Sequence, residues 1–279
     1  MIELYSDISF KSSRLITRLY STSFSRAVSF LDPEIRDAIY GIYGFVRLAD
    51  EIVDTFHDFD KQCLLEKFEK DFEDAREKGI SLNPVLNSFI ITVNKYNIED
   101  ELIRAFLKSM KTDLFKSIHN SKQETDEYIY GSAEVVGLMC LKVFVNGNDE
   151  LYRELLVPAK KLGAAFQKVN FLRDLKNDTE MLNRKYFHNL ADNRFDESMK
   201  MTIIRDIEAD FNASLEGMRK LPENPRLGVL IAYTYYKKLL GKIKKTPAET
   251  LLTTRIRVPD LTKGILLVKA YFYNKLKLF

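Results

Sequence analysis

Apolar residues return every three or four positions along most of the chain, and alternating segments joined by Asn-Gly or Asp-Gly turns are missing. The pattern therefore predicts helices. Asp32, Pro33 and Glu34 set a helix start, with proline in the first turn where its missing N–H is tolerated, and the apolar period runs on to about residue 56. A charged helix begins near residue 62 and is closed by Gly79. Further helices are predicted over 84–96, 99–115, 125–145, 149–177, 196–219, 226–244 and 259–278. Connections are short except around 183–194, and neither a repeat nor a linker divides the chain. The expected architecture is a single all-α domain covering residues 1–279.

Composition narrows this picture. At 46% hydrophobic residues, with no low-complexity stretch, the chain is expected to be globular. Cys63 and Cys140 lie far apart without metal-ligand spacing and read as reduced, buried thiols of an intracellular protein. MIELYSDISF has neither the basic nor the apolar region of an export signal. No apolar run approaches the roughly 18 to 20 residues that span a bilayer. The expectation is a cytoplasmic protein, soluble or peripheral to the inner face of the membrane.

The net charge of +3 is unevenly spread. Positions 237–279 hold eleven Lys/Arg and two acids, a balance of +9, which leaves −6 for the rest. The final LTKGILLVKAYFYNKLKLF is too aliphatic and aromatic for a nucleic-acid arm, so no nucleic-acid partner is expected. It suits a core-packed helix or one lying on an anionic membrane.

Two stretches carry candidate chemistry. In RLADEIVDTF, Tyr43, Arg47, Asp50 or Glu51, and Asp54 fall on one helix face, and one arginine does not neutralise three carboxylates. In QKVNFLRDLKND, Asn170, Asp174 and Asp178 recur every four residues below Gln167, with Arg173 alongside. Gly163, Ala164 and Ala165 just before it allow another helix to approach closely. Either stripe alone fits a solvated helix face. Two stripes, each with an adjacent arginine, point to hard oxygen ligands for Mg²⁺.

Facing acid stripes in a bundle serve a di-iron centre or a Mg²⁺ cluster that grips a diphosphate. The first requires Glu-x-x-His pairs, and His57, His119 and His188 do not form them. G-x-S-x-G, H-E-x-x-H, P-loop and G-x-G-x-x-G motifs are all missing, so hydrolase, zinc-protease, nucleotide-phosphate and Rossmann readings fall away.

STSFSRAVSFLDPEIRDAIYGIYGFVRLADEIVD, YIYGSAEVVGLM, QKVNFLRDLKNDTEMLNRKYF and RIRVPDLTKGILL resemble, in order and spacing, the motifs of the squalene/phytoene synthases, the head-to-head prenyl transferases. The resemblance runs over 20–269. It implies an isoprenoid-synthase-type helical bundle with a central active-site cavity. It also implies Mg²⁺, or Mn²⁺ in its place, held by Asp50 and Asp54 on one side and by Asp174, Asp178 and Asn170 on the other. Arg47, Gln167 and Arg173 are then implied to contact diphosphate or fix the carboxylates. Ser21, Ser23 and Phe24 match the entrance segment and Tyr43 stands on the first metal face. Tyr128 matches a tyrosine that guides ionisation or proton transfer; otherwise it is a core tyrosine with a satisfied hydroxyl. Arg184 and Tyr186 match the flap after the second motif, and Tyr236 and Arg255 match late diphosphate contacts.

The implied reaction joins two geranylgeranyl diphosphates to phytoene without NADPH, the first committed step of carotenoid biosynthesis, with a phytoene desaturase downstream. Coupling of C15 substrates to squalene or dehydrosqualene is the alternative within the family. A non-catalytic assembly factor is the alternative outside catalysis, and the four outer aspartates argue against it. Glu51, Glu134, Asn177 and His188 depart from the family pattern. The chain between the acid stripes must supply a dry tunnel, for which Gly131, Val135, Val136, Gly137, Leu138 and Met139 are candidates.

Overall fold

The computed structural model describes residues 1–116, 118, 121–180 and 195–276, except the side chains of 177–180 and 260. The helices are α1 (Ile2–Tyr20), α2 (Thr22–Val28), α3 (Pro33–Asp54), α4 (Lys61–Lys78), α5 (Pro84–Tyr96), α6 (Asp100–Phe115), α7 (Lys122–Ile129), α8 (Val135–Val145), α9 (Asp149–Glu180), α10 (Glu197–Lys220), α11 (Glu223–Lys245), α12 (Ala248–Thr253) and α13 (Asp260–Leu276). No strand occurs among the described residues, as the periodicity predicts.

Local chemistry explains most ends. The side chains of Asp60, Asn83, Ser121 and Asp196 each accept a backbone N–H at the start of α4, α5, α7 and α10. Gly79 closes α4 at φ 73°, and Asn97 and Asn146 take the same left-handed conformation after α5 and α8.

Three features were not expected from the pattern. The first is α1. Its buried face is Ser9, Ser13 and Thr17, each fully buried, so a search for apolar periodicity passes over it. These hydroxyls tie α1 to α5: Ser13 Oγ lies 2.7 Å from Ser88 Oγ, and Asn87 Nδ2 donates to Ser9 Oγ at 3.0 Å. Gly44 of α3 makes the close crossing, since a Cβ there would lie 2.6 Å from Ser13 Oγ. The short helices α2 and α12 likewise lie outside the expected set.

The second is a π-helical turn, Tyr130–Glu134, that interrupts the helix expected over 125–145. Gly131 in this turn rests on α6, where a Cβ would meet Ser109 Cβ at 2.7 Å. Gly163 of α9 rests on the same turn, 2.9 Å from the Ala133 carbonyl oxygen for a Cβ placed there, which is the close approach expected of that small-residue run. The third feature is that Lys122–Val145 is long and apolar enough to cross a membrane, contrary to the expectation that no such run exists. Half of its apolar window is buried inside the bundle, and α8 supplies part of the cavity wall described below.

Two groups of buried side chains flank the centre. One joins α3 to α6 and α8 around Phe45, whose ring stacks on Phe89 at 4.0 Å. The other joins α9, α10 and α11 around Phe211 and Ile204, both fully buried. α9 continues through Pro158, whose ring lies where a Cβ on Gly217 of α10 would clash at 2.2 Å. Of the two thiols, Cys63 is exposed and Cys140 half-buried, which corrects the expectation that both are buried. Burial pushes the Cys140 thiol up to about 12.

Candidate active site

A cavity of about 960 Å³ runs between the two groups. Its wall is graded. Leu31, Phe144, Leu155, Leu221 and Gly228 line the apolar end, whereas Ser21, Tyr43, Gln167, Arg173, Tyr236 and Arg255 line the other. Leu155 and Arg173 stand 18 residues apart on α9, about 27 Å of helical rise. Of the tunnel candidates, Val136 and Gly137 line the wall, while Gly131, Val135, Leu138 and Met139 do not. The last three are buried in the core instead.

At the polar end α3 organises its own acids. Arg47 donates to Asp50 at 2.6 Å and also binds Glu51. The Tyr20 ring lies under the guanidinium, 4.3 Å away. Burial works against the Arg47 charge, but Asp50 and Glu51 outweigh it and raise its pKa. Burial also pushes the Glu51 carboxyl up, yet hydrogen bonds from Arg47, Thr55 and Tyr20 hold it below the usual range. Glu51, at 13% side-chain exposure, is thus occupied in holding Arg47, while Asp50 keeps 34%. Asp54 follows one turn later, half-buried.

Beside this face, Tyr43 stacks on Phe24 at 4.9 Å and is hydrogen-bonded to Ser21. Burial pushes the Tyr43 phenol up to about 12, so it keeps its proton at neutral pH. Ser21 also caps α2 through the Phe24 N–H, and Ser23 lines the same end.

The second stripe is assembled from several elements. Asp174 is held by Arg173 at its side and by Arg255 Nε, 2.6 Å away, from the segment after α12. Asn170 accepts from the Tyr236 hydroxyl at 3.2 Å, and the Tyr236 ring stacks on Phe166 at 4.1 Å. Burial raises the Tyr236 phenol, against the pull of Arg173 and Asn170. Gln167 donates to Ser132 of the π-helical turn at 3.4 Å. Tyr43 of the first stripe and Gln167 of the second, with Arg173 and Tyr236, line the same end of the cavity, whereas Arg47, Asp50, Asp54, Asn170 and Asp174 are not among its wall residues. Asn170 and Asp174 are tied to the wall through Tyr236, Arg173 and Arg255. Among the described residues no three His, Cys, Asp or Glu side chains are drawn together as a metal cage.

Some expected residues fall elsewhere. Tyr128 is off the wall: its hydroxyl donates to Asp113 at 2.7 Å and its ring packs on Phe171. The contacts are those of a core tyrosine with a satisfied hydroxyl. Glu134 also leaves the wall, lying 3.9 Å from Lys160, so this departure from the family pattern does not narrow the tunnel. Asp178, Arg184 and Tyr186, with the departures Asn177 and His188, lie outside the described side chains. Sequence reasoning missed Tyr20, Ser132, Arg257 and Lys263, all on the cavity wall. Their only signals were adjacency to matched motifs and the basic C-terminal balance.

The model of the family described as squalene/phytoene synthase matches residues 17–262. The chain belongs to the squalene/phytoene synthase family. Phytoene synthase 3, chloroplastic, of Zea mays is 28% identical over 277 residues, with 92% of this chain and 64% of its own length covered. The chain therefore spans somewhat less than two thirds of that relative. The phytoene synthase of Arthrospira platensis is 25% identical, covering 91% of this chain and 90% of that protein. The 4,4'-diapophytoene synthase of Staphylococcus haemolyticus is 23% identical, covering 82% and 85%. Among solved structures, a dehydrosqualene synthase superposes with a TM-score of 0.86 at 24% identity, covering 98% of both chains. That likeness establishes the fold: an isoprenoid-synthase-type helical bundle.

Proposed function

We propose that this chain is a Mg²⁺-dependent prenyl transferase that couples two geranylgeranyl diphosphates head to head into phytoene. The observation that carries the reading is the graded cavity, with Arg173, Arg255, Arg257 and Lys263 on the wall at one end, Asp174 paired to two of them, and about 27 Å of wall along α9. A C20 prenyl chain has 16 carbons in line, about 20 Å at the rise that ordinary C–C bonds allow, and a C15 chain about 15 Å. The wall along α9 is long enough for the longer chain with its diphosphate at the polar end.

Asp50 and Asp54 stand on the helix that carries the wall residue Tyr43, and Asn170 and Asp174 on the helix that carries Gln167 and Arg173; all four are hard oxygen donors and fit Mg²⁺ by chemistry. Held by those donors, Mg²⁺ would supply positive charge to stabilise a departing pyrophosphate. Arg173, Arg255, Arg257 and Lys263 face the same end and share that negative charge. Tyr43, protonated, is a hydrogen-bond donor beside it. Breaking the C1–O bond of the donor leaves an allylic cation, which the acceptor's C2–C3 double bond attacks. Proton loss closes a cyclopropylcarbinyl diphosphate. A second ionisation and rearrangement, with loss of another proton, then gives the hydrocarbon without a reductant. The apolar wall from Val136 to Leu221 keeps water from these cations.

C15 coupling to dehydrosqualene, or with NADPH to squalene, is the second reading. It is favoured by the deep end, where Leu31 lies so close to Gly228 that a Cβ there would be 2.6 Å from Leu31 Cδ2. The test is incubation with Mg²⁺ and radiolabelled C15 or C20 diphosphates, with and without NADPH, followed by identification of the extracted hydrocarbon. A C40 product from C20 alone is expected, and chelation of the cation is expected to abolish it. A C30 product moves the reading to the second, and neither product nor pyrophosphate release would overturn both.

A further inference from the structure

α13 packs against α11 through one face only. Ala270 is fully buried there, and Asn274 accepts from Arg226 Nε at 2.8 Å. Lys263, on that same face, lines the cavity rim and lies 3.3 Å from Thr22 Oγ1. The opposite face carries Leu261, Ile265, Val268, Phe272 and Leu276, at steps of four, three, four and four. Their exposures are 81%, 62%, 52%, 56% and 60%. A soluble helix turns its polar side outward; this one turns out an apolar stripe.

We propose that this stripe seats α13 in the surface of an anionic lipid bilayer. Charge supports a bilayer over a protein partner of ordinary composition. Lys269 and Lys275 flank the stripe on its two sides, and no Asp or Glu occurs from 261 to 276. Area argues against a second copy of this chain. Five such side chains supply on the order of 400 Å², about half of what each partner in a stable dimer buries. A symmetric pairing would also bring the lysines of two copies together. The stripe begins two residues before Lys263, and Leu19, 73% exposed, lines the same cavity. A bilayer docked on the outer face of α13 is therefore separated from the cavity by the width of one helix, whose inner face carries Lys263 of the cavity wall.

The proposal goes beyond the catalytic reading and is tested without catalysis. The full chain is sedimented with vesicles of phosphatidylcholine, with or without phosphatidylglycerol. Wild type is expected to bind the phosphatidylglycerol vesicles. The double variant Ile265→Ser, Phe272→Ser is expected to lose at least about tenfold in partitioning. Lys269→Gln with Lys275→Gln is expected to lose about tenfold, confined to the anionic vesicles. All four positions are exposed, so circular dichroism is expected to be unchanged. Unchanged partitioning of the Ile265/Phe272 variant, or no binding by wild type, would overturn the proposal. So would a wild-type dimer in light scattering that this variant converts to monomer, because the face would then belong to a second copy.

Discussion

The two acid stripes differ in where their order comes from. On α3, Arg47 reaches Asp50 and Glu51 three and four residues ahead on its own helix. On α9, Asp174 depends on Arg255, 81 positions away in sequence, and Asn170 on Tyr236, 66 away. The first face is organised as soon as α3 forms. The second exists only when α9, α11 and the segment after α12 have docked. A preorganised face and an assembled one thus stand behind neighbouring wall residues, Tyr43 and Arg173, and this asymmetry makes the second the more sensitive to distant change.

Removing the acids tests whether both faces serve one reaction. Asp50→Asn and Asp174→Asn are each expected to lower turnover of radiolabelled prenyl diphosphate by at least about 10²-fold. Loss from only one of them would separate the faces. Next, Arg255→Ala isolates the assembled face and is expected to reduce kcat/KM about 10- to 100-fold, with circular dichroism unchanged. An equal loss in folding stability instead would make Arg255 a structural tie.

Gly44→Ala probes the crossing that brings Tyr20 of α1 beside Arg47. The added methyl meets Ser13 Oγ at 2.6 Å and Ser13 Cβ at 2.9 Å, so a destabilisation of about 1–3 kcal/mol is expected in urea unfolding. The smallest effect is expected from Glu51→Gln. Glu51 has its pKa depressed in the fold, so its contribution is present above the usual carboxylate range and is lost as pH falls through the folded value. The substitution is expected to flatten that acid limb of stability, by less than about 1 kcal/mol. A steeper limb in the variant would reverse the assigned role.

The chain itself determined the helices whose buried face is apolar, including α3, α5 and α9, because a 3.6-residue period is written in residue type. It also determined which residues share a helix face: Asp50 with Asp54, and Asn170 with Asp174, follow from spacing alone. It did not display α1, whose buried side is serine and threonine, because those hydroxyls become interior groups only once Ser88 and Asn87 stand opposite them. Tyr128 matches the central family motif and Glu134 departs from it, yet the π-helical turn beside them and the partners Asp113 and Lys160 decide which way they point. The same holds for the outward apolar face of α13: periodicity marks both sides of that helix as apolar, and only docking on α11 decides which side is left to the surroundings. Spacing along a helix is a local property fixed by backbone geometry, whereas burial and partnership depend on the other chain segments that arrive.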